Sequence, residues 1–161
     1  MSRTIYGACL LALTIGGGLS IGGCGTTSGQ SIPSGLTPVS GVVTMGDKPL
    51  VGATVTFIPA QSGANASGAS GITDSSGKYV LKSYEGGGNG LAPGAYKVVI
   101  SCLVKADGSV VIPGPDESPM QLLVGGAKET LPDQYSNLLG TKLLATVDAS
   151  GAPIDFKLAA K

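Results

Sequence analysis

The sequence contains no histidine and no tryptophan, and only five tyrosines and two phenylalanines. Without histidine there is no Ser–His or Cys–His nucleophile pair, and no imidazole for the usual zinc and iron sites. Charge is scarce as well. Asp, Glu, Lys and Arg make up 12% of the 161 residues, against roughly 25% in an ordinary globular domain. Ten basic side chains balance ten acidic ones, and the isoelectric point is about 6.1. The basic face that nucleic-acid binding requires is therefore missing. What the chain has instead is glycine and proline, 27 and 10 residues, or about 23% of the total. The length suits one domain with tails.

Arg3 is the only charged residue before Asp47. It precedes the apolar stretch Ile5-Tyr6-Gly7-Ala8-Cys9-Leu10-Leu11-Ala12-Leu13-Thr14-Ile15, then Gly16-Gly17-Gly18, then Leu19-Ser20-Ile21-Gly22-Gly23-Cys24. This is the order of a secretory signal: a charged start, a short apolar core and a small-residue cleavage zone. As a helix, residues 5–15 would reach about 16 Å, half of the roughly 30 Å hydrocarbon layer. Three glycines in a row weaken any extension.

The segment Ile21-Gly22-Gly23-Cys24 resembles the lipobox of bacterial lipoproteins. That resemblance implies cleavage before Cys24, lipid attached through its thiol, and a signal peptide over residues 1–23. The membrane then becomes a partner through the lipid on Cys24. Several acyl chains on one residue anchor stably, whereas one chain is marginal. Gly25 is not the aspartate that retains some lipoproteins in the inner membrane, so the resemblance favours the outer one. Cys9 would leave with the signal and Cys24 would be lipidated. Only Cys102 would remain, which excludes an intramolecular disulfide.

Residues 24–37 read as a flexible tether. They carry no charge, and the thirteen residues after Cys24, rich in glycine and serine, typically reach about 20 Å. From Pro38 the pattern has period two. Val39, Gly41 and Val43 are expected inward on a first strand, then Ala53, Val55 and Phe57 on a second. Residues 59–70 read as a loop of small polar residues. Tyr79 and Leu81 follow inward, with Lys78 and Lys82 outward. Tyr96, Val98, Ile100, Cys102 and Val104 share one face of the longest strand. Residues 105–141 form a long connection containing Pro113, Pro115, Pro119 and Pro132. The runs 143–147 and 154–158 are expected to close the chain as a hairpin around Asp148-Ala149-Ser150-Gly151. About seven short strands with regular turn signals point to an antiparallel β-sandwich over residues 38–161.

Four segments carry a second resemblance: Val39-Ser40-Gly41-Val42-Val43, Asp47 to Val55, Thr73-Asp74-Ser75-Ser76-Gly77-Lys78-Tyr79, and Leu91-Ala92-Pro93-Gly94-Ala95-Tyr96-Lys97-Val98. In this order they resemble the carboxypeptidase regulatory-like domain over about residues 38–104. The resemblance implies an all-β, antiparallel Greek-key sandwich of transthyretin or prealbumin type. It names a scaffold and no catalytic residue.

Candidate chemistry is thin. Cys102 falls on an inward phase, which favours an inert thiol. The carboxylates Asp47, Asp74, Asp107 and Asp148 sit in turns, and the adjacent pair Asp116-Glu117 sits in a proline-rich stretch. The turn Asp74-Ser75-Ser76-Gly77 is too short for a dedicated calcium loop. Neither Gly86-Gly87-Gly88 nor Gly125-Gly126 has the lysine and hydroxyl residue of a phosphate loop. Cys24 is thus the one residue expected to carry chemistry, with no catalytic residue, metal or cofactor. In the 105–141 connection, Val110, Val111, Ile112, Met120, Leu122, Leu123, Leu131 and Tyr135 are expected to pack on the sandwich or to form a contact patch. Met120, Leu122 and Tyr135 are the candidate partner contacts. The expected role is structural or protein-binding at the cell envelope, without catalysis. A weak carbohydrate-binding role through Tyr84 and Tyr135 is the alternative, so the expected partner is an envelope protein or a polysaccharide.

Overall fold

The computed structural model describes residues 35–61, 67–114 and 117–159. The expected signal segment, Cys24 and the expected tether up to residue 34 lie outside the described residues. Alternating side chains build the strands β1 (Ser40–Met45), β3 (Thr54–Pro59), β5 (Lys78–Val80) and β7 (Gly94–Ser101), with β4 (Ala69–Ile72) between the second and third. Short ladders add β2 (Lys48–Pro49), β6 (Lys82–Ser83), β8 (Leu103–Val104), β9 (Val110–Val111) and β10 (Lys128–Glu129). The chain finishes with β11 (Leu144–Val147) and β12 (Phe156–Leu158). Two short helices, α1 (Pro119–Val124) and α2 (Asp133–Ser136), lie in the long connection.

One sheet runs β11-β7-β3-β4-β6, antiparallel throughout. Opposite it, β1 pairs with β12 on one side and with β2 and β5 on the other. A small sheet, β10-β8-β9, closes one end. The protein is therefore an all-β, sandwich-like domain. Val43, Tyr79, Leu81, Phe156 and Leu158 face Val55, Phe57, Tyr96, Val98 and Ile100 in one buried cluster. The Phe57 ring lies 6.0 Å from Tyr96, 6.1 Å from Phe156 and 6.4 Å from Tyr79. These are the separations at which tilted and edge-on aromatic pairs attract.

The inward phases hold for Val39, Gly41, Val43, Ala53, Val55, Phe57, Tyr79, Leu81, Tyr96, Val98 and Ile100, all of them buried. Five expectations need correction. The last two runs are no hairpin: β11 pairs antiparallel with β7, while β12 crosses over to pair parallel with β1. Pro153 keeps the crossover extended. Ile154 N then donates to Ser40 O, and Val42 N donates to Asp155 Oδ1. The strand expected over 96–104 breaks at Cys102, so Leu103 is buried and Val104 is only half-buried. Glu129 sits at this break, where its Oε1 accepts the Cys102 N–H. Residues 69 and 70 belong to β4 and not to a loop. Alanine, serine and glycine carry little strand propensity, so that ladder was silent in the sequence. Strand segments number twelve among the described residues, more than about seven, because the runs 78–83 and 96–104 each split and the two-residue ladders β2, β9 and β10 add three more. Finally Thr37, the expected end of the tether, is buried and bridged to Leu91.

Candidate functional site

The outward residues of β3, β4 and β6 form the floor of an open groove of about 1090 Å³. Thr54 and Thr56 come from β3, Ser70 and Ile72 from β4, and Lys82 from β6. Lys78, Val80 and Tyr84 line the same groove. The opposite wall is made by Pro113, Gly114, Glu117, Ser118, Pro119 and Gln121. Period-two alternation explains the floor, since apolar inward residues leave threonine, serine and lysine outward.

The wall is held by its own hydrogen bonds. Gly114 N donates to Glu117 Oε2 at 3.0 Å. Ser118 N donates to Gln121 Oε1 at 2.8 Å, and Gln121 N donates to Ser118 Oγ at 3.3 Å. This reciprocal cap, with Pro119 at the first helical position, starts α1 without any buried side chain. Two carboxylates, Asp74 and Glu117, line the groove. Asp74 Oδ1 accepts from Ser76 Oγ at 2.7 Å, Ser76 N at 2.8 Å and Lys78 N at 3.0 Å. The Ser76 hydroxyl, then the backbone donors, hold the Asp74 carboxyl below the usual carboxylate range. That bias toward the ionised form is opposite to what a general acid needs.

The expected contact residues do not converge. Met120 is exposed and Leu122 half-buried, both on α1. Tyr135 belongs to α2, packs against the core, and its hydroxyl accepts from Ala159 N at 3.1 Å. The 105–141 connection divides in the same way. Leu131 is buried, whereas Val110, Ile112, Met120, Leu123 and Val124 stay exposed. The side chains of Val110 and Ile112 crowd Gly52, beside exposed Val51. α1 packs against β8, the ladder partner of β9, so the exposed apolar residues of α1 and those around Gly52 lie toward the same end of the sandwich. The tether joins at the other end, where Thr37 bridges Leu91, three residues before β7 begins. The eight residues of β7 separate the two ends by about 26 Å.

Sequence reasoning missed Glu129. Its Oε1 accepts from Cys102 N at 3.0 Å and Leu131 N at 2.9 Å, and its Oε2 accepts from Ser101 Oγ at 2.5 Å. It clips β10 to the break in the long strand, a long-range role that no local pattern signals. Cys102 is buried and free, and burial pushes its thiol up. Among the described residues no group of three His, Cys, Asp or Glu side chains is arranged to hold a metal. No described helix is long and apolar enough to cross a membrane. Cys24 lies outside the described residues. No family model, curated protein or solved structure matches the chain, so the regulatory-like resemblance rests only on the residues that carry it.

Proposed function

We propose that this protein is a lipid-anchored β-sandwich of the bacterial cell envelope that holds a protein partner and transforms no substrate. The lipobox-like Ile21-Gly22-Gly23-Cys24 supports the anchor, and Gly25 supports the outer membrane as its site. The carboxypeptidase regulatory-like scaffold, with its Greek-key order, belongs to this same reading.

The observation that carries the reading is the apolar end. Met120 and Val124 are 68% and 84% exposed and lie one helical turn apart, so they share a face. A soluble domain seldom leaves such side chains grouped with Val51, Val110 and Ile112 in the open without a contact to make. Because the tether joins the opposite end, the anchor leaves this surface uncovered. It is placed to meet another envelope protein.

A photo-crosslinking residue at Met120 of the full chain, in intact cells, tests the reading. It is expected to capture a discrete protein, and Val124→Asp should abolish the capture. The same residue at Ser150, next to Gly151, which lies against Thr37 and Pro38, should capture nothing comparable. Equal adducts from both positions, or none from Met120, would end this reading. A second reading, weak carbohydrate binding, is favoured by one observation: Tyr84 is 62% exposed and lines the groove.

A further inference from the structure

We propose that the outer face of the five-stranded sheet is a glycan platform, with one pyranose ring of an oligosaccharide stacked on Tyr84 and the oxygens of this and the next sugar bonded to Thr56, Ser70 and Lys82. This rests on the carbohydrate reading and gives it a site. The register sets the row. Thr56 pairs with Ser70 in the β3–β4 ladder, and Ser70 pairs with Lys82 in the β4–β6 ladder. Two hydroxyls and an ammonium thus stand in line on neighbouring strands, spaced about 4.8 Å apart. The row spans about 10 Å, close to the length of a disaccharide. All three side chains line the groove, as does Tyr84.

Tyr84 is two residues beyond Lys82 on the same outward phase. Its ring lies on the backbone of Gly68: a Cβ built at Gly68 would meet ring atoms Cδ2 and Cε2 at 3.1 Å. Tyr84 N also donates to Gly68 O at 3.0 Å. The Cδ2–Cε2 side of the ring is therefore backed by the chain while most of the side chain stays in solvent. A rigid, amphipathic ring ordered before binding loses little entropy on contact. The faces of a pyranose present C–H groups to such a ring, and its edge presents hydroxyls to the polar row. Of the described carboxylates in the groove, Asp74 Oδ1 and Glu117 Oε2 accept backbone donors, which leaves Asp74 Oδ2 and Glu117 Oε1 as further acceptors for sugar hydroxyls. Lys82 could meet either a sugar hydroxyl or a uronate carboxylate, so the ligand is a neutral or an acidic glycan with the same ring chemistry.

The test is calorimetric titration of the full chain with chitotetraose as the neutral probe and tetragalacturonate as the acidic one. At least one should bind, weakly. Tyr84→Ala should lower the affinity about tenfold, the worth of one stacked ring at roughly 1.4 kcal/mol. Tyr84→Phe should retain it, because the ring is kept. Unchanged melting of both variants shows that the fold is intact. Lys82→Met should weaken tetragalacturonate alone if the acidic sugar is the ligand, and should leave chitotetraose binding within a few-fold if the neutral one is. Binding indifferent to Tyr84→Ala would overturn the proposed site and leave the carbohydrate reading standing. No binding of either sugar would overturn both.

Discussion

The hydroxyl of Tyr79 donates to the backbone carbonyl of Ile154 over 2.7 Å, joining residues 75 positions apart. This bond fastens β5 to the segment that feeds β12, and Gly41 makes room for it. A Cβ at Gly41 would overlap the Ile154 carbonyl oxygen and press on the Tyr79 ring. Gly41→Ala is therefore expected to cost more than the roughly 1–3 kcal/mol of ordinary overpacking, because backbone cannot rotate away as a side chain can. Tyr79→Phe should cost about 1 kcal/mol, the net worth of one hydrogen bond. Urea denaturation measures both. A Gly41→Ala variant with an unchanged midpoint would mean that β12 does not sit against β1 as described.

The same tyrosine predicts alkaline behaviour. Burial first, and the Asp155 charge second, push the Tyr79 phenol well above its ordinary value of 10.0. The folded chain thus keeps a proton that the unfolded chain releases near pH 10, so this stabilising contribution is whole below pH 10 and is lost as pH rises beyond it. The stability advantage of the native protein over Tyr79→Phe should shrink above pH 10. A gap constant from pH 7 to 11 in denaturation midpoints would contradict the burial of this hydroxyl.

Three turns share one device and predict the acid side. Asp74, Asp107 and Asp148 each accept the backbone N–H and the hydroxyl of the serine two positions on. In each case the serine hydroxyl, followed by the backbone donor, lowers the carboxyl below 3.8. A depressed carboxylate stabilises the fold above its unfolded value and stops doing so as pH falls through its folded one. Asp74→Ala and Asp148→Ala should therefore melt below the native protein at pH 7. The differences should close as pH drops under about 3.8, where the native carboxylates take up protons. Differences that persist unchanged at pH 2 would place the effect in packing instead of charge.

How much of this could be read from the residues depends on distance along the chain. Val55, Phe57, Tyr79 and Val98 declare themselves through local alternation, and the structure buries all four. The partner of a strand is a different matter. Nothing in Phe156-Lys157-Leu158 says whether it folds back on Leu144–Val147 or crosses to Val43, because both partners bury the same two side chains. The contacts that decide it, at Ser40, Val42 and Gly41, lie more than a hundred residues away. The groove was hidden for a related reason. Thr56, Ser70 and Lys82 are unremarkable outward residues singly, and only the register of two ladders sets them in a row. β4 gave no signal because Ala-Ser-Gly lacks the branched and aromatic residues that favour strands. Tyr84 could have been singled out more firmly, since it shares the outward phase of Lys82.

Glu129 predicts a coupled loss of structure and gain of reactivity. Glu129→Ala leaves the Cys102 and Leu131 N–H groups and the Ser101 hydroxyl without their acceptor. Buried donors stripped of a partner cost about 1–3 kcal/mol, and the break between β7 and β8 should loosen. In the native protein Cys102 is buried with its thiol pushed up by burial, so a disulfide reagent at pH 8 should react only on unfolding. In Glu129→Ala the same reagent should react within the folded baseline. Equal protection in both proteins would show that Glu129 does not hold this corner closed.

The anchor is tested at Cys24. A thioether to lipid needs sulfur, and serine offers only oxygen at the same position, so Cys24→Ser should block both the attachment and the cleavage that follows it. Metabolic labelling with a radioactive fatty acid should mark the native chain and not the variant, and the variant should run larger by the retained residues 1–23. Gly23→Leu should reproduce the block with the cysteine intact, because a large side chain before the cut cannot enter a cleft made for small ones. Label retained on Cys24→Ser would move the lipid to another residue. Label absent from the native chain would leave the sandwich without its hold on the membrane, and the envelope partner proposed for Met120 and Val124 would lose its setting.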